Sequence, residues 1–169
     1  MGPLPGRRFL LTGVFLAVLA VGLTLAWVFD RDDVATPGEP APDFTVELLE
    51  GGTFTLSEHV TEDGRPLVLN LWASWCAPCR DEIPALSDYA SSHPSVAILG
   101  VAVEDVAEES ILLGAELRPS YPLAHGDAKF EASYPNFGLP VTYFLDADGM
   151  VTEVYNGILT EATLAEKLD

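Results

Sequence analysis

Two cysteines, Cys76 and Cys79, are the only ones in the chain, and Ala77 and Pro78 separate them. They follow a strongly apolar run, residues 67–72, of the kind that forms a buried strand. A strand that leads into Cys-x-x-Cys, with a helical pattern after it, is typical of a thiol-disulfide redox site. If a helix begins at Cys76, Cys79 lies one turn further along the same face, where the two sulfurs can bond.

A helix that begins at the cysteine pair would also activate the first cysteine. The N-terminus of a helix carries partial positive charge and free N–H groups, which favour the thiolate of Cys76. The thiolate is the species that attacks disulfides. Pro78 fits the first turn of a helix, where a missing N–H breaks no bond. The pair is therefore predicted to be a redox-active disulfide that needs no other cofactor.

Three other interpretations of the cysteine pair remain open at this point. A structural disulfide across so short a loop would stabilise the fold little. A zinc site needs about four ligands, and His59, His93 and His125 supply no second ligand pair at usable spacing. No metal is therefore expected, and each histidine is predicted to face solvent. The third interpretation is a pair of inert buried thiols.

The composition indicates a folded, acidic domain with an uncharged N-terminal segment. The chain has 169 residues, of which 49% are hydrophobic, which is enough for one domain with a core plus a tail. The formal net charge is −18, and every acidic residue lies at or after Asp30. This charge argues against nucleic acid and against docking on anionic lipid. It fits a solvated surface outside the cytoplasm, or a basic protein partner.

Residues 9–29 form an uncharged apolar segment directly after Arg7 and Arg8. As a helix, these 21 residues would be about 31 Å long, enough to cross a hydrocarbon core of about 30 Å. The two arginines predict a cytoplasmic N-terminus, with everything after Asp30 outside the cell membrane. The segment is longer than the usual core of a signal peptide, so we predict an uncleaved single-pass anchor; a signal peptide cleaved near Ala26 is the alternative.

The pattern along the rest of the chain predicts an α/β fold. We divide the chain into the N-terminus and anchor (1–29), a tether rich in proline and glycine (30–40) and a folded domain (41–169). Strands alternate with helices between two hairpins, which predicts a sandwich with a mixed central sheet. The predicted strands are 44–49, 53–56, 66–72, 96–103, 141–145 and 151–155, and the predicted helices are 76–91, 107–117, 128–134 and 160–168.

Residues 68–84 resemble the active-site block of the thioredoxin-like, TlpA/ResA-type membrane-tethered thiol-disulfide oxidoreductases. Residues 41–44 resemble the start of that family's domain. Residues 138–146, with Gly149 after them, resemble its cis-proline segment and the following hairpin. The resemblance covers about residues 40–169. It implies a thioredoxin-like fold, with a mixed central β-sheet flanked by helices, and activity as a thiol-disulfide oxidoreductase.

The resemblance also implies a role for each residue of the site. Cys76 becomes the attacking cysteine and Cys79 the buried resolving cysteine. Pro140 becomes a cis proline that faces the disulfide, and Leu139 offers its backbone to a substrate strand. Glu82 matches the family's active-site acid, which would move protons at Cys79 and raise the thiol pKa values by like-charge repulsion. Further substrate contacts are expected beside the pair, at Trp75, Ala77 and Pro78.

The residues alone leave two of these roles open. Composition alone also allows Pro140 to be an ordinary trans proline that opens an edge strand. Glu82 could instead be a solvated glutamate in the first turn of a helix, which is the commoner fate of such a residue. Asn70 stands where cytoplasmic thioredoxin has a buried aspartate, and an amide cannot act as a base. If the site moves protons, that task would therefore fall to Glu82.

Together these features predict an extracytoplasmic enzyme that reduces disulfides in exported proteins, with a membrane electron donor to restore the dithiol. The resemblance alone points to the haem-attachment cysteines of apocytochrome c as substrates, in cytochrome c biogenesis. Asp81 and Glu82 follow the pair closely and disfavour a thiolate, which favours service as a reductant. The alternatives are a general or oxidising disulfide enzyme and, as a non-enzyme, a membrane-tethered interaction module with a locked disulfide.

The orientation of the chain can be tested directly. If the arginines before the apolar segment stay in the cytoplasm, protease added to intact spheroplasts should remove the domain after Asp30. An immunoblot with an antibody against the domain measures its loss. Survival of the domain until the membrane is opened would contradict the orientation, and a soluble mature protein that begins near Trp27 would show a cleaved signal peptide.

Overall fold

The structure is a computed structural model, and it describes residues 34–168. The predicted anchor and the first residues of the predicted tether lie outside the described residues. Within residues 34–168, no helix has the length and apolar character needed to cross a membrane. The description that follows concerns this folded unit alone.

The described part of the chain is built around a seven-stranded mixed sheet. The strand order is β2-β1-β5-β4-β3-β6-β7; β3, β4 and β5 run parallel and every other neighbouring pair is antiparallel. The two central strands, β3 and β4, are buried along their whole length, as their continuous apolar runs predict. The strands are β1 (Thr45–Leu48), β2 (Thr53–Thr55), β3 (Leu67–Trp72), β4 (Ala97–Ala102), β5 (Leu123–His125), β6 (Val141–Leu145) and β7 (Val151–Asn156).

Helices cover both faces of this sheet. The helices are α1 (Ala77–Ser92), α2 (Ala107–Leu117), α3 (Ala128–Ser133) and α4 (Glu161–Leu168), with a helical turn at Leu56–Glu58 that continues as a π-helical turn at His59–Asp63. Helices α1, α2 and α4 pack on the face that carries Val68, Trp72 and Phe144. Helix α3 and the helical turn pack on the opposite face, against Leu71 and Tyr143. The predicted sandwich with a mixed sheet is confirmed.

Two features of the sheet bring the predicted site together. Cys76 comes four residues after the carboxyl end of β3, and Pro140 comes directly before the amino end of β6. These strands are antiparallel neighbours, with Leu71 opposite Val141. The end of one strand and the start of the other therefore meet at the same edge of the sheet, and α1 begins there.

The structure differs from the sequence-based expectations in a few places. Strand β5 is absent from the predicted strands because its three residues are too few to show a period of two. The prediction that His59 faces solvent is wrong, because its ring is buried. The ring lies 5.4 Å from that of Phe54, centroid to centroid, and its Nε2 is 2.9 Å from the carbonyl oxygen of Arg65. The described part of the predicted tether is hydrogen-bonded to the domain, with Gly38 N donating to the carbonyl of Val151.

Candidate active site

The two cysteines form a disulfide at the start of α1. Cys76 is the residue that caps the helix, and its sulfur accepts a hydrogen bond from the backbone N–H of Cys79 at 3.2 Å. Cys79 is fully buried and Cys76 is 3% exposed, while Ala77 and Pro78 between them lie on the surface. The capping bond and the helix dipole both direct positive potential at the Cys76 sulfur. The local geometry predicted for Pro78, inside the first turn, is confirmed.

The segment before the cysteine pair is held by the loop that follows β4. Ser74 donates to the carboxylate of Asp105 twice, from its backbone N–H at 2.7 Å and from its hydroxyl at 2.7 Å. The indole N–H of Trp75 donates to the backbone carbonyl of Glu104 at 3.0 Å. Trp75, the residue before Cys76, nevertheless remains 61% exposed, so its ring faces solvent.

Glu82 is buried in the core, on the helix that begins at the cysteine pair. It follows Cys79 by three residues on α1, so the two side chains share one face of the helix. Its carboxylate is fully buried and accepts two hydrogen bonds, from Asn70 Nδ2 at 2.6 Å and from the backbone N–H of Leu159 at 2.8 Å. Asn70 Nδ2 also lies 3.1 Å from the hydroxyl oxygen of Thr142. The interpretation of Glu82 as a solvated glutamate is therefore wrong.

Burial changes the acidity of Glu82. Removal from water raises the pKa of its carboxyl to about 7, although the hydrogen bonds from Leu159 and Asn70 act in the opposite direction. Burial also raises the pKa of Tyr121, and the nearby charge of Glu82 raises it further. A carboxyl group with a pKa near neutrality can both take up and release a proton under ordinary conditions, which an exposed glutamate does poorly.

The loop before β6 carries the second predicted element of the site. The Leu139–Pro140 peptide bond is cis, as the resemblance implies, so the alternative of a trans proline is wrong. Pro140 is buried, and Leu139 is half-buried against the apolar cluster that contains both cysteines. The start of this loop is held by β6, because the hydroxyl of Tyr143 donates to the backbone carbonyl of Pro135 at 2.6 Å.

Some residues of the site could not be found by sequence reasoning. Leu159 contributes only its backbone N–H, which leaves no signal in a sequence. Thr142 is a polar residue in an otherwise apolar strand, and that could have marked it. Glu104 and Asp105 follow a parallel strand at the edge where sites form, a signal that could have been used. Within residues 34–168, no group of three or more His, Cys, Asp or Glu side chains is arranged to hold a metal ion.

The fold and the site define a class: this is a thioredoxin-like thiol-disulfide oxidoreductase. The chain belongs to the AhpC/TSA family, whose model matches residues 37–166. The predicted resemblance to the thioredoxin-like oxidoreductases is thereby confirmed.

Individual relatives carry names of the same kind. The chain is 28% identical to the thioredoxin-like protein YneN of Bacillus subtilis, over 94% of this chain and 96% of YneN. It is 31% identical to the thiol:disulfide interchange protein DsbE of Xylella fastidiosa, over 96% of this chain and 87% of DsbE. It is 28% identical to the thiol-disulfide oxidoreductase ResA of Bacillus subtilis, over 96% of this chain and 92% of ResA.

Solved structures resemble the described domain. A secreted Mycobacterium tuberculosis disulfide oxidoreductase, described as homologous to DsbE of Escherichia coli, superposes with a TM-score of 0.63 and 25% identity, covering 74% of this chain and 93% of that one. A thioredoxin family thiol:disulfide interchange protein from Chlorobium tepidum gives a TM-score of 0.68 at 24% identity, over 78% and 94% of the two chains. The latter shows the fold alone.

The raised pKa of Glu82 predicts how the free energy of unfolding depends on pH. The folded protein holds a proton on Glu82 between its ordinary pKa of 4.5 and about 7, where the unfolded chain releases it. The free energy of unfolding should therefore fall as pH rises through this window and level off above it, by up to about 3 kcal/mol. In Glu82→Gln this part of the decline should be absent. Urea unfolding of the oxidised protein between about pH 5 and pH 8 measures the slope.

A glutamine can accept from only one of the two donors, so the absolute stability of the variant should also be lower. The test therefore rests on the slope and not on the absolute value. Glu108→Gln, at an exposed position of α2, is the matched control and should keep the wild-type slope. Equal slopes in wild type and Glu82→Gln would contradict the assignment.

Proposed function

We propose that this protein is a membrane-anchored, extracytoplasmic reductant of disulfides in exported proteins. The observation that carries the proposal is the fully buried carboxyl of Glu82, one helical turn beyond a cysteine pair that caps α1. A structural disulfide would not need an ionisable group placed in the core beside it, where burial of a charge is costly. A site that must move a proton at a buried thiol does need one.

The first step of the proposed reaction is an attack by Cys76. In the dithiol form, the Cys76 thiolate attacks one sulfur of a substrate disulfide, forms a mixed disulfide and releases the other substrate sulfur as a thiolate. Cys76 is suited to this role because it caps the helix and is the cysteine with some exposure. The helix dipole stabilises the attacking thiolate.

The second step is resolution by Cys79. Its thiol loses a proton to the Glu82 carboxylate, and the resulting thiolate attacks the Cys76 sulfur of the mixed disulfide. The Cys76–Cys79 bond forms, the second substrate thiolate leaves, and two electrons have passed from the pair to the substrate. Glu82 then returns its proton to the released thiolate or to water, which a pKa of about 7 permits. A dithiol donor in the membrane restores the reduced pair.

The surface around the pair supplies the proposed substrate contacts. Trp75, Ala77 and Pro78 are exposed beside the disulfide. Leu139 precedes the cis proline and has its backbone at the same edge of the sheet, where an extended substrate segment can pair with it. Pro140 lacks an N–H, so it offers the disulfide no competing donor.

The location and the substrate are proposed on other grounds. Residues 9–29 are long enough to span a membrane, and the two arginines before them favour a cytoplasmic N-terminus with the domain outside. The relative from Mycobacterium tuberculosis is described as secreted. Disulfides persist outside the cytoplasm, which is where a reductant for them is needed. The haem-attachment cysteines of apocytochrome c are the substrate that the resemblance to the TlpA/ResA-type proteins favours.

Trapping of the mixed disulfide tests the proposal. Cys79→Ser removes the resolving thiol, so the full-length chain expressed in cells should remain joined to exported proteins through Cys76, and the adducts should disappear on reduction. Mass spectrometry after affinity purification identifies them. The matched control, Cys76→Ser with Cys79 retained, should trap far less because Cys79 is buried. A wild-type chain that fails to reduce insulin, or equal trapping by both variants, would contradict the proposal.

The direction of electron flow is a separate prediction. The Glu82 carboxylate opposes the helix dipole and holds the thiol pKa values above what the dipole alone would give, which favours a low reduction potential. Equilibration of the pair with glutathione measures the potential, and the pH dependence of alkylation measures the thiol pKa. Glu82→Gln should lower that pKa. A potential near the oxidising extreme of about −120 mV would instead support an oxidising enzyme.

A further inference from the structure

Glu104 occupies a strained position in the loop that follows β4. Its φ is +50°, in the left-handed region where glycine is favoured and a residue with a Cβ is costly. The backbone N–H of Glu104 donates to Glu131 Oε1 at 2.7 Å, and its carbonyl accepts the indole N–H of Trp75 at 3.0 Å. A glycine could make both of these backbone bonds without strain, so they do not account for a glutamate.

The side chain of Glu104 makes a bond that glycine could not. Its Oε1 accepts a hydrogen bond from Asn136 Nδ2 at 3.1 Å, and Asn136 Oδ1 in turn accepts from the backbone N–H of Gly138 at 3.3 Å. Asn136 and Gly138 belong to the loop that leads to the cis peptide bond of Pro140. Glu104 is therefore bonded both to the residue before Cys76 and to the loop that precedes β6.

Large apolar side chains are exposed on the segments that Glu104 joins. Trp75 is 61% exposed, Val106 is 58% exposed and Phe137, next to Asn136, is 95% exposed. These residues lie in three separate loops, before the cysteine pair, after β4 and before Pro140, so their spacing depends on what connects those loops. Glu104 provides that connection in two bonds, one from its backbone and one from its carboxylate.

We propose that Glu104 is a positioning residue, which holds Trp75 and the loop of residues 136–140 at a fixed spacing so that a polypeptide substrate can contact both. It acts through these two neighbours and does not touch the reacting sulfurs. Small disulfides need only the sulfur of Cys76, so their reduction does not depend on Glu104. The inference rests on the proposed roles of Trp75 and Leu139 as substrate contacts.

The test compares three full-length proteins: wild type, Glu104→Gly and Glu104→Gln. In Glu104→Gly the backbone strain is relieved and the bond to Asn136 is lost. The KM for insulin should rise about fivefold in this variant, as expected for loss of one hydrogen bond that orders a binding surface. The rate with a small aromatic disulfide should stay within about twofold, and the urea midpoint should not fall. Glu104→Gln keeps an acceptor oxygen for Asn136 and should behave as wild type.

The controls separate positioning from other roles. If Glu104→Gln shows the same rise in KM as Glu104→Gly, the carboxylate acts by its charge and the proposal is wrong. It is also wrong if insulin and the small disulfide lose rate equally, or if Glu104→Gly keeps the wild-type KM for insulin. A wild-type chain that does not reduce insulin would instead overturn the proposed function, so the two failures are distinguishable.

Discussion

The structure depends on the burial of one carboxyl group. Glu82 lies at the interface between α1 and the sheet, and its two acceptor oxygens are satisfied by Asn70 from β3 and by the backbone of Leu159 before α4. An unpaired carboxylate at this depth would be severely destabilising. The three elements must therefore stay in one arrangement whenever Glu82 is charged, and the helix that begins at the cysteine pair is one of the three. The proposed proton transfer needs the same arrangement of these elements that stability requires.

Around the cysteine pair, the local conformational preferences of the residues agree with the packing of the whole sheet. An apolar strand delivers the chain to the edge of the sheet, Cys76 ends the extended conformation and caps the helix, and Pro78 fits the first turn. Antiparallel pairing of β6 with β3 then brings Pro140 to the same edge from a distant part of the sequence. Agreement of this kind across levels is what makes one structure strongly preferred over its competitors.

The sequence allows much of this to be predicted, and the exceptions have physical causes. The predicted strands and helices end within one residue of those observed, because their apolar periods and their glycine, proline and capping residues are clear. The cysteine pair is evident from spacing alone. The contacts of Glu82 are not: a backbone N–H such as that of Leu159 carries no side-chain signal, and burial of a glutamate contradicts its usual preference. His59 is buried against the same expectation, through a contact to a backbone carbonyl. The bond between Glu104 and Asn136 joins residues that no local pattern relates.

The residues before β1 have a further effect on the sheet. Residues 38–40 lie along the outer side of β7. The carbonyl of Val151 accepts a hydrogen bond from the N–H of Gly38, and the N–H of Val151 donates to the carbonyl of Glu39. Pro40 forms a bridge with Met150, directly before β7. At the opposite side, β2 has only three residues. Free strand edges are templates for uncontrolled association with other chains, and short edges or covered edges suppress it. A protein whose proposed work is to pair with extended, partly unfolded chains at one loop is thus protected against pairing with them along its sheet, which would end in aggregation instead of exchange.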